Sequence, residues 1–269
     1  MRLTGGSAGR HAATGLPGDE AAFLRVSGLV REFGGVRAVD GLDLALDAGS
    51  VLSIIGPNGC GKTTLFNLLT GQLGPTAGSI RFQGREIVGL PPHRIAEAGI
   101  VRKFQVPSVF PALTVVENLR TALAAPAARR HRWRSPAALL ELVGMAGQGD
   151  LPAGALAHGE KQWLELAMVV ATGPRLLLLD EPTAGMTRAE SEATVVLIRR
   201  VQEETGAAVV VIEHDMAVIE TLAAPVAVMM TGRIVALGGY AEVRRDPTVR
   251  AAYFGAVRSE AAKPPAEHG

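Results

Sequence analysis

Residues 51–64 read Val51-Leu52-Ser53-Ile54-Ile55-Gly56-Pro57-Asn58-Gly59-Cys60-Gly61-Lys62-Thr63-Thr64. An apolar run stops at a Gly/Pro/Asn turn, and Leu65-Phe66-Asn67-Leu68-Leu69 then opens a helical pattern. This is G-x-x-x-x-G-K-[ST] set between a strand and a helix, the context in which that motif is a phosphate-binding loop. Gly56, Gly59 and Gly61 let the backbone curl so that successive N–H groups face phosphate oxygens. A helix starting near Lys62 adds its positive N-terminal end. Lys62 brings a point charge to the outer phosphates, and the Thr63 hydroxyl suits Mg²⁺. Pro57, Asn58, Cys60 and Thr64 complete the expected cradle. The chain holds 4 lysines against 23 arginines, so a lysine here is not background.

Working outward, 269 residues suffice for one large domain or one carrying an inserted subdomain. A chain 48% hydrophobic and 20% charged is an ordinary core-forming protein, and with 4% aromatics its core must be built from Leu, Val, Ile and Ala. The net charge of +1 creates no general demand for nucleic acid. The single cysteine, Cys60, excludes an internal disulfide, fits a reducing compartment and reads as loop filler or an alkylation target. No apolar run approaches the roughly 20 residues of a spanning helix. Residues 1–20 are Gly/Ala-rich, broken by Pro17, and lack the apolar core of a signal peptide. The expectation is a chain that neither spans a membrane nor is secreted by that route, with any membrane link made through a partner.

Residues 1–20 read as a flexible leader, 21–256 as the folded domain and 257–269 as a polar tail. Segments 23–26, 38–46 and 51–55 read as strands, with turns at Gly34-Gly35 and Ala48-Gly49. Leu42, Leu44 and Leu46 alternate with Asp43, Ala45 and Asp47, as in an antiparallel strand with one buried face. Further strands are expected at 79–82 and 100–104, and helices at 92–98 and 160–171. Residues 107–160 look like an inserted helical subdomain, interrupted by the basic run Arg129-Arg130-His131-Arg132-Trp133-Arg134. That run reads as a solvated face beside an acidic partner, or as a nucleic-acid patch. Leu176-Leu177-Leu178-Leu179 suits a strand buried on both faces of a parallel sheet, and so does 207–213. Strand–helix alternation with such strands predicts an α/β fold: a P-loop core with a mostly parallel sheet, an antiparallel β subdomain and an inserted α-helical subdomain.

Ligands of parallel α/β sheets sit at the carboxyl ends of the strands. Gln105, Asp180-Glu181 and His214 stand there. Asp180 closes an apolar strand, the place of the carboxylate that holds Mg²⁺ in P-loop NTPases. Glu181 points elsewhere and is free to orient and deprotonate water. Gln105 could reach the metal or the water, and His214 a terminal phosphate. Phe33, before the Gly34-Gly35 turn, is either a core aromatic or a platform for a base; spacing alone favours the core. His11, His93, His131 and His268 read as surface residues.

With these motifs in this order, residues 23–255 resemble the nucleotide-binding subunits of ABC transporters. The resemblance implies ATP and Mg²⁺ as cofactors, ATP hydrolysis as the activity, and Phe33 as an adenine-stacking aromatic. Gln105 would be the Q-loop glutamine and His214 the switch histidine. The signature motif, normally Leu-Ser-Gly-Gly-Gln, falls on Leu156-Ala157-His158-Gly159-Glu160. In that family each ATP lies between one subunit's P-loop and the other's signature, and the helical subdomain contacts a transmembrane permease. The implied partners are permease subunits, a second ATPase that is a paralogue or a second copy of this chain, and indirectly a solute-binding protein. No nucleic acid is among them. The implied location is the cytoplasmic face of the inner membrane. Leu113-Thr114-Val115-Val116-Glu117-Asn118-Leu119 and Ala252-Tyr253-Phe254-Gly255 resemble the branched-chain amino acid and urea/amide uptake group. Arg102-Lys103-Phe104-Gln105, His158-Gly159-Glu160-Lys161-Gln162-Trp163-Leu164-Glu165 and Ala184-Gly185-Met186 are similar to its urea-type ATPase in particular.

Three positions depart from the family pattern. Ala157 replaces the signature serine and so lacks a hydroxyl for the partner's phosphate. Glu160 replaces glutamine; with Ala157 as N-cap it would retain half a capping box. Thr187 stands where most members carry an aspartate. These changes spare this chain's own phosphate loop and weaken what it offers the opposite site, which predicts a heterodimer with unequal sites.

Overall fold

The computed structural model describes residues 22–103, 109–125 and 135–251. The leader, Gln105, the basic run 129–134, Ala252-Tyr253-Phe254-Gly255 and the tail fall outside the described residues, as do His11, His131 and His268.

Two sheets organise the chain. A four-stranded antiparallel sheet has the order β2-β1-β4-β5, from β1 (Leu24–Phe33), β2 (Val36–Leu46), β4 (Ala77–Phe82) and β5 (Arg85–Glu86). A six-stranded sheet has the order β10-β9-β3-β8-β7-β6. Its members are β3 (Val51–Ile55), β6 (Ile100–Lys103), β7 (Leu176–Asp180), β8 (Ala208–Ile212), β9 (Val226–Met230) and β10 (Arg233–Gly238). All its pairings are parallel except β9 with the edge strand β10. The α/β class with a mostly parallel sheet and a separate antiparallel part is thus the observed one.

The leucine run shows why the sheet sits where it does. Leu176 and Leu178 face a core shared with the antiparallel sheet and with α1 (Lys62–Leu69); Leu177 and Leu179 face a second core under the helices. Strand β8 divides in the same way, with Ala208, Val210 and Ile212 on one side and Val209 and Val211 on the other. Side chains alternate across a strand, so an unbroken apolar run serves two cores at once. Each such leucine contributes about 1.5–3 kcal/mol by leaving water.

The second core is roofed by α3 (Val115–Leu123), α4 (Pro136–Leu142), α5 (His158–Ala171) and α6 (Arg188–Thr205). The expected helical subdomain is represented by α3, α4 and the 3₁₀ turn Ala153–Ala155. Helix α3 starts at a capping box: Thr114 Oγ1 accepts from Glu117 N at 3.2 Å, and Glu117 Oε2 accepts from Thr114 N at 2.8 Å. Helices α2 (Pro92–Ala98), α7 (Met216–Leu222), α8 (Tyr240–Val243) and α9 (Pro247–Val249) complete the elements, and Asp215 Oδ1 caps α7 by accepting from Ala217 N at 2.8 Å.

Two expectations need correction. Phe33 is not a core residue: it is 43% exposed, with the Arg31 guanidinium 4.4 Å from its ring centre. Strand β1 does not end at Val26 but runs on to Phe33. Gly28, at φ 53°, forms an irregularity between Val26 and Leu29 that interrupts the alternation a reader follows.

Candidate functional site

The loop between β3 and α1 is built by close backbone approach. A Cβ on Gly56 would stand 2.1 Å from the Met229 carbonyl oxygen and 2.7 Å from Cys60 Sγ. A Cβ on Gly61, at φ 107°, would stand 2.1 Å from the Ala38 carbonyl oxygen. Gly59, at φ 78°, would meet nothing within 4 Å. This contrast yields a prediction. Gly61→Ala should destabilise by roughly 2–5 kcal/mol, from overlap plus left-handed strain, and Gly59→Ala by only about 1–2 kcal/mol. Urea unfolding of the two variants measures the difference; equal costs would contradict the packing described.

Lys62 lies inside the loop, 7% exposed. Its Nζ donates to the Gly56 carbonyl at 2.7 Å and the Pro57 carbonyl at 3.0 Å. Pro57, Asn58, Gly59 and Thr63 are exposed along the open side, and Thr64 is half-buried. Cys60 is packed beneath, 5% exposed, with burial pushing its thiol up and the Lys62 ammonium opposing that shift. A buried thiol of raised pKa is a poor nucleophile, which argues against ready alkylation of Cys60.

Strands β7 and β8 carry the acidic and histidine groups to the same end of the sheet. Asp180 follows Leu179 and faces the side of α1, as alternation requires; it is 7% exposed and pairs with Arg102. Glu181 breaks the alternation. Its φ of 47° is left-handed, a strained value for a non-glycine residue, and its N–H donates to the Ile212 carbonyl at 2.9 Å. That turn brings Glu181 Oε1 to 2.6 Å from His214 Nε2. A carboxylate only accepts, so Nε2 carries the proton of this bond.

Glu213, 4% exposed, locks the pair from below. It accepts from Thr183 N at 3.1 Å, Thr183 Oγ1 at 2.7 Å and His214 N at 3.2 Å. Burial pushes its carboxyl up, and these bonds oppose the shift. Glu213 is a support the sequence reading passed over; an acidic residue closing a buried strand was the available signal.

The signature segment lies at the start of α5. Ala157 is the N-cap and offers no side-chain acceptor. Glu160 Oε2 accepts from Ala157 N at 2.9 Å, the expected half of a capping box, and its Oε1 accepts from Gln148 Nε2 at 3.0 Å. Both carboxylate oxygens are thus bonded within the subunit. Leu156 is buried in the second core and Gly159 is buried, while Ala157 and His158 are exposed. His158 Nε2 donates to the Ala184 carbonyl at 3.1 Å, tying the signature to the loop after Asp180-Glu181. Thr187 caps α6 in a full box with Glu190: Thr187 N donates to Glu190 Oε2 at 2.8 Å, and Glu190 N donates to Thr187 Oγ1 at 3.3 Å. Thr187 Oγ1 also donates to Glu190 Oε2 at 2.7 Å, a bond an aspartate carboxylate could not make. His93 is exposed, as expected.

The donor set fits a nucleotide with Mg²⁺. A buried ammonium and a glycine-lined loop suit a polyphosphate. No cluster of three metal-ligating side chains exists among the described residues. Mg²⁺ keeps waters and takes one or two protein oxygens plus phosphate. Asp180 at the tip of β7 and the Thr63 hydroxyl in the first turn of α1 are protein oxygens that could take those places.

This is a P-loop fold with Asp180, Glu181 and His214 at its strand tips. The ABC transporter family model matches residues 39–184, and a model described as branched-chain amino acid ATP-binding cassette transporter matches residues 233–258. The chain is 40% identical over 249 residues to the high-affinity branched-chain amino acid transport ATP-binding protein BraF of Pseudomonas aeruginosa, covering 87% of this chain and 98% of that one. It is 36% identical, with the same coverage, to LivG of Escherichia coli, which has the same description. Among solved structures, an ATP-binding cassette of an ABC transporter in its ADP conformation superposes with a TM-score of 0.77 at 29% identity, covering 87% of this chain and 99% of that one. A nucleotide-free cassette gives 0.74 at 28% identity, covering 86% and 98%. The chain therefore belongs to the ABC transporter family as an ATP-binding cassette: an ATPase whose cofactors are ATP and Mg²⁺. The branched-chain amino acid group carries the comparisons; the narrower urea-type resemblance finds no counterpart among them.

Proposed function

We propose that this chain is the ATP-hydrolysing subunit of an ABC importer, docked through permease subunits on the cytoplasmic face of the cell membrane. The observation that carries the reading is the Glu181–His214 pair, 2.6 Å apart at the strand tips beside the phosphate loop. A carboxylate held by a histidine at that place is a general base for water, with His214 orienting it. Lys62 and the loop N–H groups bind the phosphates, Thr63, Asp180 and Gln105 hold Mg²⁺, and Phe33 stacks on the base. No helix among the described residues is long and apolar enough to cross a membrane. The membrane link then falls to the helical subdomain meeting a permease, with a solute-binding protein delivering cargo on the far side.

Leu156, Ala157, His158, Gly159 and Glu160 act on a partner's ATP. Ala157 offers that ATP no hydroxyl, which favours a paralogous ATPase over a second copy of this chain. For cargo, the relatives' descriptions favour branched-chain amino acids. Urea or a short amide is the second reading, supported only by the sequence resemblance at Arg102–Gln105, His158–Glu165 and Ala184–Met186. Uptake of labelled leucine and labelled urea, with and without this chain, separates the two. Loss of leucine uptake supports the first reading and loss of urea uptake alone the second. Undiminished uptake of both would favour a soluble ABC ATPase if the chain hydrolyses ATP, and a regulatory, non-hydrolysing nucleotide-binding module if it does not.

A further inference from the structure

Arg102 and Lys103 close strand β6 and, as neighbours in a strand, point to opposite faces of the sheet. Lys103 goes to α5: its Nζ lies 3.0 Å from Glu165 Oε2 and also bonds Gln162. Arg102 goes to the nucleotide side. Its Nη2 pairs with Asp180 Oδ2, its Nη1 donates to Asn67 Oδ1 at 2.5 Å, and its Cζ lies 5.5 Å from the Phe66 ring centre. The two side chains of the ion pair are 6% and 9% exposed. Asn67 is on α1, four residues and so about one turn beyond Thr63.

We propose that Arg102 is a positioning residue for Mg²⁺, fixing the helix of Thr63 and the carboxylate of Asp180 to one guanidinium. The inference rests on the assignment, made above, of Thr63 and Asp180 as the metal's protein ligands. Those two side chains come from different elements, and Mg²⁺ requires near-octahedral geometry. A carboxylate at a strand tip can rotate; one whose oxygen is bonded to a clamped guanidinium cannot. The clamp is built: Asn67 takes one arm of the fork, Asp180 the other, and the Phe66 ring lies against the guanidinium. A lysine would neutralise Asp180 equally well but would reach only one of the two elements.

The test is a Mg²⁺ titration of fluorescent ADP binding. Arg102→Gln is expected to raise the half-saturating Mg²⁺ concentration by about 10–100-fold, the usual cost of removing a group that orients a metal ligand. Binding of the nucleotide in EDTA should change by less than about threefold, because the phosphate loop is untouched. Arg102→Lys, which keeps the charge and loses the fork, should retain most of the defect. Asn67→Leu, which leaves the ion pair in place, should raise the requirement by about 3–10-fold, and it carries the test if Arg102→Gln does not fold. An unchanged Mg²⁺ requirement in folded Arg102 variants, with Asp180→Asn raising it, would reduce Arg102 to a counter-ion and overturn the proposal. A lower requirement would make Arg102 a competitor of the metal and overturn it too. If Asp180→Asn leaves the requirement unchanged, the metal assignment fails and the proposal with it.

Discussion

Lys62→Met is expected to raise the dissociation constant for ATP about 10- to 150-fold, the equivalent of roughly 1.5–3 kcal/mol for one lost bond to a charged group. Methionine keeps the unbranched stem in its buried slot, so the packing around Cys60 and Leu65 should survive. What disappears is the ammonium that holds the Gly56 and Pro57 carbonyls at 2.7 and 3.0 Å. An ammonium has three donors; two go to those carbonyls, and the third faces only Cys60 Sγ at 4.0 Å, a weak partner that a phosphate can replace. A fluorescent ATP analogue titrated into the folded variant measures the change. A shift below about threefold would mean that Lys62 supports the loop and not the ligand.

Glu181→Gln should leave ATP binding within about threefold of the original and lower turnover by 10²–10⁴-fold, the typical contribution of a general base. Glutamine is nearly isosteric and can keep the left-handed turn at φ 47° and the bond from Glu181 N to the Ile212 carbonyl. It cannot take a proton from water. His214 Nε2, now facing an amide, can still donate to the side-chain oxygen, so the geometry persists while the chemistry stops. Phosphate release from radiolabelled ATP measures turnover, and retention above about a tenth of the original rate would assign the base elsewhere.

The sheet was legible because its strands carry unbroken apolar runs. Leu176 to Leu179 and Ala208 to Ile212 can be satisfied only by a layer on each side, and both were found there. The start of α3 was available in the Thr114-x-x-Glu117 spacing but was not read from it. The interruption of β1 at Gly28 was less visible, because irregular pairing breaks the period-two signal. Phe33 misled because an aromatic beside a turn looks alike whether it packs inward or stays 43% exposed. At the site, sequence spacing nominated Lys62, Asp180, Glu181 and His214, and the fold brings Glu181 and His214 into contact. It did not reveal Arg102, Asn67, Lys103, Glu165 or Glu213. Those pairings join residues far apart in the chain, and only a fold can bring them together. The sequence held two signals: the adjacent basic residues Arg102 and Lys103 ending one strand, and Glu213 following a wholly apolar one.

The first turn of α5 bears on how the site is completed. Glu160 spends both oxygens inside its own subunit, on Ala157 N and Gln148 Nε2. Ala157 contributes no side-chain bond. A signature so occupied offers a partner's phosphate little beyond backbone groups and the helix end. This chain's own loop, Glu181 and His214 are intact by comparison. In the heterodimer proposed above, the stronger site is then this chain's P-loop completed by a paralogue's signature. The most direct test sets Glu181→Gln in this chain against the matching change in the paired ATPase within the assembled transporter. The account predicts that the change here removes nearly all ATP hydrolysis, while the partner's change spares a substantial part. Equal losses from the two would contradict it.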